Sequence, residues 1–263
     1  MLELLLIYAV TGALSGTMAG LLGVGGGIII VPALVFALSL QGVEAEVTMH
    51  LAVGTSLAVI VFTALSSVRA HHRRGAVLWP VVARIAPGIV VGALLGAAIA
   101  DAMSGPLLRT WFGCFALLLA ANLAFGRPPR PSRVLPGVSG LTPVGVAIGV
   151  VSALVGVGGG SMSVPFMTWC NVPMRQAIAT SAAIGFPIAV GGSVGFALAG
   201  LDDPVLPEFA LGYLYLPGGV LVGLASMLFA PLGARIAHAI DPRWLRYGFA
   251  STLCVVGVRM LLG

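Results

Sequence analysis

The 263-residue chain is 59% hydrophobic and only 8% charged, with a formal net charge of +5. Soluble domains carry about 25% charged residues, so this composition excludes a soluble globular protein and indicates an integral membrane protein. Long apolar runs without strand-length alternation favour transmembrane helices over a β-barrel. At roughly 20 residues for each crossing, the length allows about eight to ten membrane segments.

The apolar segments form two groups of five, separated by a stretch rich in arginine and proline. In chain order they are 4–22, 28–40, 47–69, 78–100 and 106–125, then 141–156, 160–170, 176–200, 209–232 and 243–262. We therefore divide the chain into a first repeat (1–126), a cytoplasmic linker (127–140) and a second repeat (141–263). The first apolar run has no cationic region before it, so we expect a membrane segment there rather than a cleaved signal peptide.

A glycine-rich motif occurs once in each group. The sequence GVGGG stands at 23–27 and again at 156–160, and each copy is followed by Val-Pro, at 31–32 and 164–165. Glycine runs form poor helices and poor strands, so each copy predicts a break within an apolar segment. A Thr-Ser pair follows each break at a similar spacing, which indicates that the two halves are duplicated.

The charged loops predict how the halves are oriented. The loop at 69–74 and the linker are rich in arginine, whereas the loop at 201–208, equivalent to 69–74, is acidic. The positive-inside rule places the basic loops in the cytoplasm, so equivalent loops fall on opposite faces. The halves are then inverted repeats. Both chain termini are predicted to be periplasmic.

In this orientation, each glycine motif lies in a stretch that enters the membrane and returns to the same side. We predict an all-α integral membrane protein with two inverted five-segment repeats. Each repeat is a glycine-tipped broken or re-entrant helical hairpin followed by three transmembrane helices. Segment 28–40 covers only about 20 Å of a core that is about 30 Å thick, so the tips are expected near mid-membrane. The alternative is a full crossing by a strongly bent pair.

The glycine tips are the predicted binding site. Consecutive glycines leave backbone N–H groups unshielded, and the following helix adds its free N–H groups and the positive end of its dipole. This arrangement suits an anion. Close helix packing at glycine is the alternative. The candidate residues are Gly25, Gly26 and Gly27 in the first copy and Gly158, Gly159 and Gly160 in the second.

Hydroxyl side chains near these tips complete the candidate set. They are Ser161 and Ser163 after the second glycine run, and the pairs Thr55-Ser56 and Thr180-Ser181. The two pairs lie about 12–13 Å inside their segments, near the expected depth of the tips. The alternatives are an N-cap role for Ser161 and hydrogen bonding within or between helices for the pairs.

His50 and Arg175 stand at equivalent positions at the mouths of the third and eighth segments. We predict that they attract an anion at the two entrances. The alternative is that each is a solvated helix end.

The duplicated G-x-G-G-G…V-P arms, each followed by a T-S pair, resemble the TauE/SafE sulfite exporter family of membrane permeases. The resemblance covers nearly the whole chain. It implies transport of small sulfur-containing or organic anions, such as sulfite or organosulfonates. It also implies a binding site at the glycines and Thr-Ser pairs named above.

We therefore predict a secondary transporter of small anions in the bacterial inner membrane, with alternating access between the hairpins. An anion channel of the same architecture is the alternative. Every acidic residue lies in a loop or near a segment end, which argues against a carboxylate proton relay and leaves coupling to protons or sodium open. At membrane depth the sequence has no His-Glu-x-x-His motif and no paired Asp, so it predicts no enzyme, metal site or cofactor. The expected partners are the anion and the lipid bilayer, with no nucleic acid, and the oligomeric state stays open.

Overall fold

The computed structural model describes residues 2–22, 26–126, 133–237 and 242–262. Within these ranges the chain forms ten α-helices and one short antiparallel β-hairpin. The helices are α1 (Leu2–Leu22), α2 (Gly27–Leu40), α3 (Ala45–Arg73), α4 (Trp79–Asp101), α5 (Gly105–Phe125), α6 (Val138–Val155), α7 (Gly160–Trp169), α8 (Met174–Ala199), α9 (Leu216–Ala237) and α10 (Pro242–Leu262). The strands are β1 (Ala210–Leu211) and β2 (Leu214–Tyr215).

The ten helices follow the predicted segments in order, and the prediction of an all-α membrane protein is confirmed. Among the described residues, α3, α4, α5, α6 and α8 are long and apolar enough to cross a membrane. Shorter apolar stretches lie in α1, α2, α9 and α10. The helical content thus matches a multi-pass membrane protein.

The β-hairpin is a departure from the predicted segments. Segment 209–232 was expected to be one helix, but its first residues form β1 and β2, with Ala210 opposite Tyr215. Gly212 opens the connecting turn with φ of +53°, a conformation that glycine adopts readily. Pro217, whose fixed φ suits the first turn of a helix, stands at the start of α9.

The helices on either side of each glycine motif return the chain to the side from which it came. At the far end of the first pair, the Gln41 Nε2 donates to the Tyr8 hydroxyl at 2.6 Å. At the far end of the second pair, the Arg133 N–H donates to the Trp169 carbonyl at 3.3 Å. The α1–α2 and α6–α7 units are therefore hairpins, as the sequence predicts.

Glycine stripes bring helices from different halves into close contact. α6 packs along α4, where a Cβ added at Gly92 would overlap Val146 O. α1 packs along α9, where a Cβ added at Gly16 would overlap Ser226 O. Each glycine-tipped hairpin thus lies against a helix of the other half.

Helices at equivalent positions of the two halves also pack on each other, in opposite directions. In the α3–α8 pair, Gly54 lies beside Phe196, and Leu57 lies beside Gly192. α5 and α10 are likewise antiparallel, because Gly113 contacts Leu261 while Leu117 contacts Gly257. α3 and α8 are buried over much of their length and form the centre of the molecule.

The charged loops separate into two ends of the molecule. We call one the acidic end, which carries Glu46, Asp101 and Asp203, and the other the basic end, which carries Arg133 and Arg175. Contacts of Glu46 with Gly105, and of Tyr213 with Asp203, bring the acidic-end loops together. This separation matches the two groups of loops expected from the charge pattern.

Replacing Gly92 with alanine is expected to destabilise the protein. The new methyl group meets the α6 backbone, and overpacking of this kind costs about 1–3 kcal/mol. The midpoint of thermal unfolding in detergent should fall. Gly248→Ala in α10 is the matched control, because nothing lies within 4 Å of a Cβ there. Equal midpoints for the two variants would contradict the close α4–α6 contact.

Candidate functional site

The two glycine motifs form turns that depend on left-handed backbone. Gly26 and Gly159 precede the first residues of α2 and α7, with φ of +71° and +73°. Gly156 ends α6 with φ of +69°. Side chains are disfavoured in this conformation, so glycine at these places fixes where each helix stops and starts. Gly25 lies outside the described residues.

The two glycine turns touch each other in the interior. A Cβ added at Gly27 would overlap Gly156 O. The Ser56 hydroxyl, on α3, donates to the same carbonyl at 2.9 Å. Residues 157–160 are all buried. The meeting of the tips that the sequence predicts is therefore present, and it includes one member of a Thr-Ser pair.

Backbone donors at both turns lack partners. The N–H groups of Gly160 and Ser161 at the start of α7 have no hydrogen-bond acceptor within the described part of the chain. The same holds for Gly27 and Ile28 at the start of α2. Such groups are the free donors of a helix N-terminus, where the helix dipole is positive.

Hydroxyls surround the second turn more closely than the first. Ser163 donates to Gly159 O at 2.9 Å, and its oxygen lies 2.7 Å from that of Ser181. Ile30 occupies the place of Ser163 in the first copy. The asymmetry expected from the sequence is thus present in the contacts.

The N-cap alternative for Ser161 is wrong. Gly159 is the N-cap of α7, and its cap has no side-chain hydrogen bond. Ser161 is the second helical residue and is half-buried.

Each threonine of the Thr-Ser pairs binds the start of a helix from the other half. Thr55 Oγ1 accepts the Tyr215 N–H at 2.8 Å, directly before α9. Thr180 Oγ1 accepts the Leu78 N–H at 3.0 Å, directly before α4. Both threonines are at most 1% exposed. The threonines therefore bond to other elements, as that alternative expected, while Ser56 contacts the second glycine turn and Ser181 contacts Ser163 of α7.

Comparison with known proteins identifies the family. Residues 8–260 match the family described as Sulfite exporter TauE/SafE. The chain belongs to the TauE/SafE family. A probable membrane transporter protein of Haemophilus influenzae is 33% identical, with 100% of each chain covered. One from Methanocaldococcus jannaschii is 27% identical over 99% of this chain and 97% of its own. No solved structure matches.

Family membership confirms the resemblance read from the duplicated glycine arms, and with the relatives' names it indicates a membrane transporter rather than an enzyme. A Bacillus subtilis relative, 33% identical over 74% of this chain and 78% of its own, is also named a probable membrane transporter protein. No group of metal-ligating side chains occurs among the residues that the structure describes.

The two entrance residues of this TauE/SafE protein differ in their surroundings. Arg175 is exposed at the basic end, in the first turn of α8. His50 stands near the start of α3 at the acidic end, but it is only 3% exposed. His50 therefore does not line an open mouth, because the end of α4 and the β-hairpin cover it.

Two tyrosines and a glutamine above the glycine turns were missed at the sequence level. Gln41 donates to Tyr8, and the Tyr215 hydroxyl donates to Gln41 Oε1 at 2.8 Å. These two hydrogen bonds close the space between α1, α2 and α9 on the acidic side. The chain has only four tyrosines, and the close spacing of Tyr213 and Tyr215 is the sequence signal that could have drawn attention to this segment.

Replacing Thr180 with valine is expected to lower stability. The Leu78 N–H would lose its acceptor, and an unsatisfied buried donor costs about 1–3 kcal/mol. Thermal unfolding in detergent measures the effect. Thr110→Val is the matched control, because that hydroxyl is exposed and bonds only within its own helix turn. A Thr180→Val protein as stable as the control would contradict the hydrogen bond to Leu78.

Proposed function

We propose that this protein is a secondary transporter that moves small anions, with sulfite and organosulfonates as the first candidates, across the bacterial inner membrane. The observation that carries this proposal is the meeting of the two glycine turns, one from each half, where Gly27 at the start of α2 lies against Gly156 O at the end of α6. Family membership and the names of the relatives support transport. The unpaired N–H groups at the glycine turns support an anion as the transported species.

The anion argument rests on the donors that the turns leave unpaired. The N–H groups of Gly160 and Ser161 and the hydroxyl of Ser161 lie together at the positive end of the α7 dipole. Oxyanions are bound at helix N-termini in this way without a cationic side chain. A sulfite or sulfonate group has three oxygens that can accept hydrogen bonds from several such donors. Ser163 and Ser181 are the nearest further hydroxyls.

We also propose that the two halves are inverted repeats that move against each other. The antiparallel packing of α3 on α8 and of α5 on α10 supports an inverted relationship. The exchange of hairpins, with α1 along α9 and α6 along α4, supports a pseudo-two-fold arrangement. We assign the basic end to the cytoplasm by the positive-inside rule, with both chain termini in the periplasm.

The closed centre favours a transporter over a channel. Ser56 and Ser181 are at most 1% exposed, and Gly26 and Ser161 are half-buried. The Thr55–Tyr215 contact closes the acidic side and the Thr180–Leu78 contact closes the basic side. A site that is closed on both sides is the occluded state that alternating access requires, with the anion held at mid-depth.

Flux of labelled sulfite and methanesulfonate in proteoliposomes tests the function. Gly26→Leu and Gly159→Leu place a side chain at the left-handed glycines, and each is expected to abolish flux. Ser181→Ala leaves the turns in place and removes one hydroxyl; its flux should fall about tenfold, for a hydrogen bond worth about 1.4 kcal/mol. Gly248→Leu, in open surroundings, is the control and should keep wild-type flux.

Unchanged flux in both glycine variants would rule out the turns as the binding site. Saturable flux, with accumulation against a gradient, is expected of a transporter. A flux that rises linearly with concentration and never accumulates the anion would instead establish the channel.

A further inference from the structure

Ser152 is a buried serine of α6 whose hydroxyl has no hydrogen-bond partner in the chain. The side chain is 3% exposed, and Oγ makes no hydrogen bond to any residue that the structure describes. Hydroxyl side chains within a helix commonly bond to a carbonyl of the preceding turn, as Thr142 does on the same helix and Ser163 does on α7. A buried hydroxyl without a partner costs free energy, so Ser152 is unfavourable unless a ligand or water bonds to it.

The hydroxyl of Ser152 faces the second glycine turn. Its Oγ lies 3.4 Å from the position that a Cβ on Gly159 would take, directly before α7. The next two residues, Gly160 and Ser161, carry the backbone N–H groups that have no acceptor within the described ranges. Ser161 adds a half-buried hydroxyl that makes no hydrogen bond there either. Two N–H groups and two hydroxyls thus stand unpaired at the start of α7.

The first glycine turn has a similar backbone but lacks these two hydroxyls. The spacing of the GVGGG copies pairs Ser152 with Ala19, and Ser161 with Ile28. Ala19 Cβ lies 3.5 Å from the position of a Cβ on Gly26, so it takes the place that the Ser152 hydroxyl has at the second turn. Because the first turn forms without them, the two hydroxyls are not needed to build a glycine turn.

The unpaired donors at the second turn are neutral groups. Among the residues whose burial is described, no Arg, Asp or Glu side chain is buried, and Arg84 and Arg175 are exposed. Neutral donors and the α7 dipole would therefore stabilise the whole charge of an anion bound here. The cost of removing an ion from water rises with the square of its charge, whereas its attraction to a dipole rises only in proportion to the charge. Such a site favours a singly charged oxyanion over a doubly charged one.

We propose that Ser152 is a ligand of the transported anion, and that the second glycine turn holds a singly charged oxyanion such as an organosulfonate or hydrogen sulfite. This inference rests on the proposed transport function and adds to it a residue, a location and a charge class. Ser152 and Ser161 donate their hydroxyl hydrogens to oxygens of the anion, beside the N–H groups of Gly160 and Ser161. The first turn packs against this site through Gly27.

Equilibrium binding in detergent tests the role of Ser152 without requiring transport. Methanesulfonate, which carries one charge, is titrated into the purified full chain by isothermal titration calorimetry. Ser152→Ala installs the residue of the first copy, and its Kd should rise about tenfold because a hydrogen bond to a charged group is lost. Thr11→Val is the matched control, since Thr11 is also buried without a described partner but lies in the middle of α1. Its Kd should equal that of the wild type.

Thermal unfolding separates a ligand residue from a structural one. Ser152 has no described partner to lose, so without the anion Ser152→Ala should unfold at the wild-type midpoint or above it. At a fixed concentration of methanesulfonate, the rise in the midpoint should be smaller in the variant than in the wild type. Ser161→Ala provides a second variant with the same expected effect. An anion-induced rise of wild-type size in both variants would overturn the proposal.

Sulfate tests the charge class of the site. It presents oxygens around a tetrahedral sulfur, as methanesulfonate does, but it carries two charges. Because the site offers only neutral donors and a helix dipole, we expect the wild-type Kd for sulfate to be at least about tenfold above that for methanesulfonate. Sulfate bound as tightly as methanesulfonate, or more tightly, would overturn the preference for a singly charged anion.

The outcomes distinguish this inference from the proposed transport function. If Ser152→Ala and Ser161→Ala keep the wild-type Kd while Gly159→Leu abolishes binding, the hydroxyl ligands are overturned and the glycine-turn transporter stands. If both serine variants weaken binding but the wild type moves neither methanesulfonate nor sulfite in proteoliposomes, the site stands and the transport proposal fails. A wild-type protein that binds no methanesulfonate overturns the proposed site, and sulfite flux then decides transport by itself.

Discussion

The pairing of backbone polar groups in an apolar interior is the constraint on which this structure depends. Each glycine turn interrupts a hairpin and so places carbonyl and N–H groups where neither lipid nor water can bind them. Ser56 satisfies Gly156 O across the molecule, and Ser163 satisfies Gly159 O within its own turn. Hydroxyls at the centre thus bind carbonyl groups of the broken helices, while the first N–H groups of α2 and α7 have no acceptor within the described part of the chain.

The contacts that close the acidic end of the molecule differ in number from those that close the basic end. On the basic side, Thr180 binds the Leu78 N–H in a short loop before α4. On the acidic side, the corresponding Thr55 contact is joined by the β-hairpin and by the Tyr8–Gln41–Tyr215 chain. More hydrogen bonds therefore join the elements at the acidic end than at the basic end, although the halves are alike in helix order.

Features that depend on local composition could be predicted from the sequence. The ten segments follow from apolar runs, the hairpins follow from the glycines and the charged loops, and the meeting of Gly27 with Gly156 follows from two hairpins of similar depth. Features that depend on residues far apart in the chain could not be predicted from the sequence. Thr55 bonds to a residue 160 positions away, and nothing near it in the sequence signals Tyr215.

The burial of His50 is a second feature that the sequence could not predict, because it depends on residues far away in the chain. Its position at the start of an apolar segment predicts a solvent-facing mouth, because the segment before it ends in polar residues. Its burial depends on Ala100 and on Tyr213, which the chain brings to this place only after α4 and α8 have formed. The β-hairpin was missed for a related reason: residues 209–215 are as apolar as a helix start, and the left-handed backbone at Phe209 and Gly212 is not evident from composition.

The packing of α1 along α9 has a consequence for biosynthesis. α1 leaves the ribosome before its main partner, because Ser226 lies 211 residues after Ser15 in the chain. Until α9 has been made, the Ser15–Ser226 hydrogen bond of 2.8 Å cannot form. The amino-terminal hairpin is therefore among the last parts of the molecule to dock, and nascent chains truncated before α9 are exposed to membrane quality control.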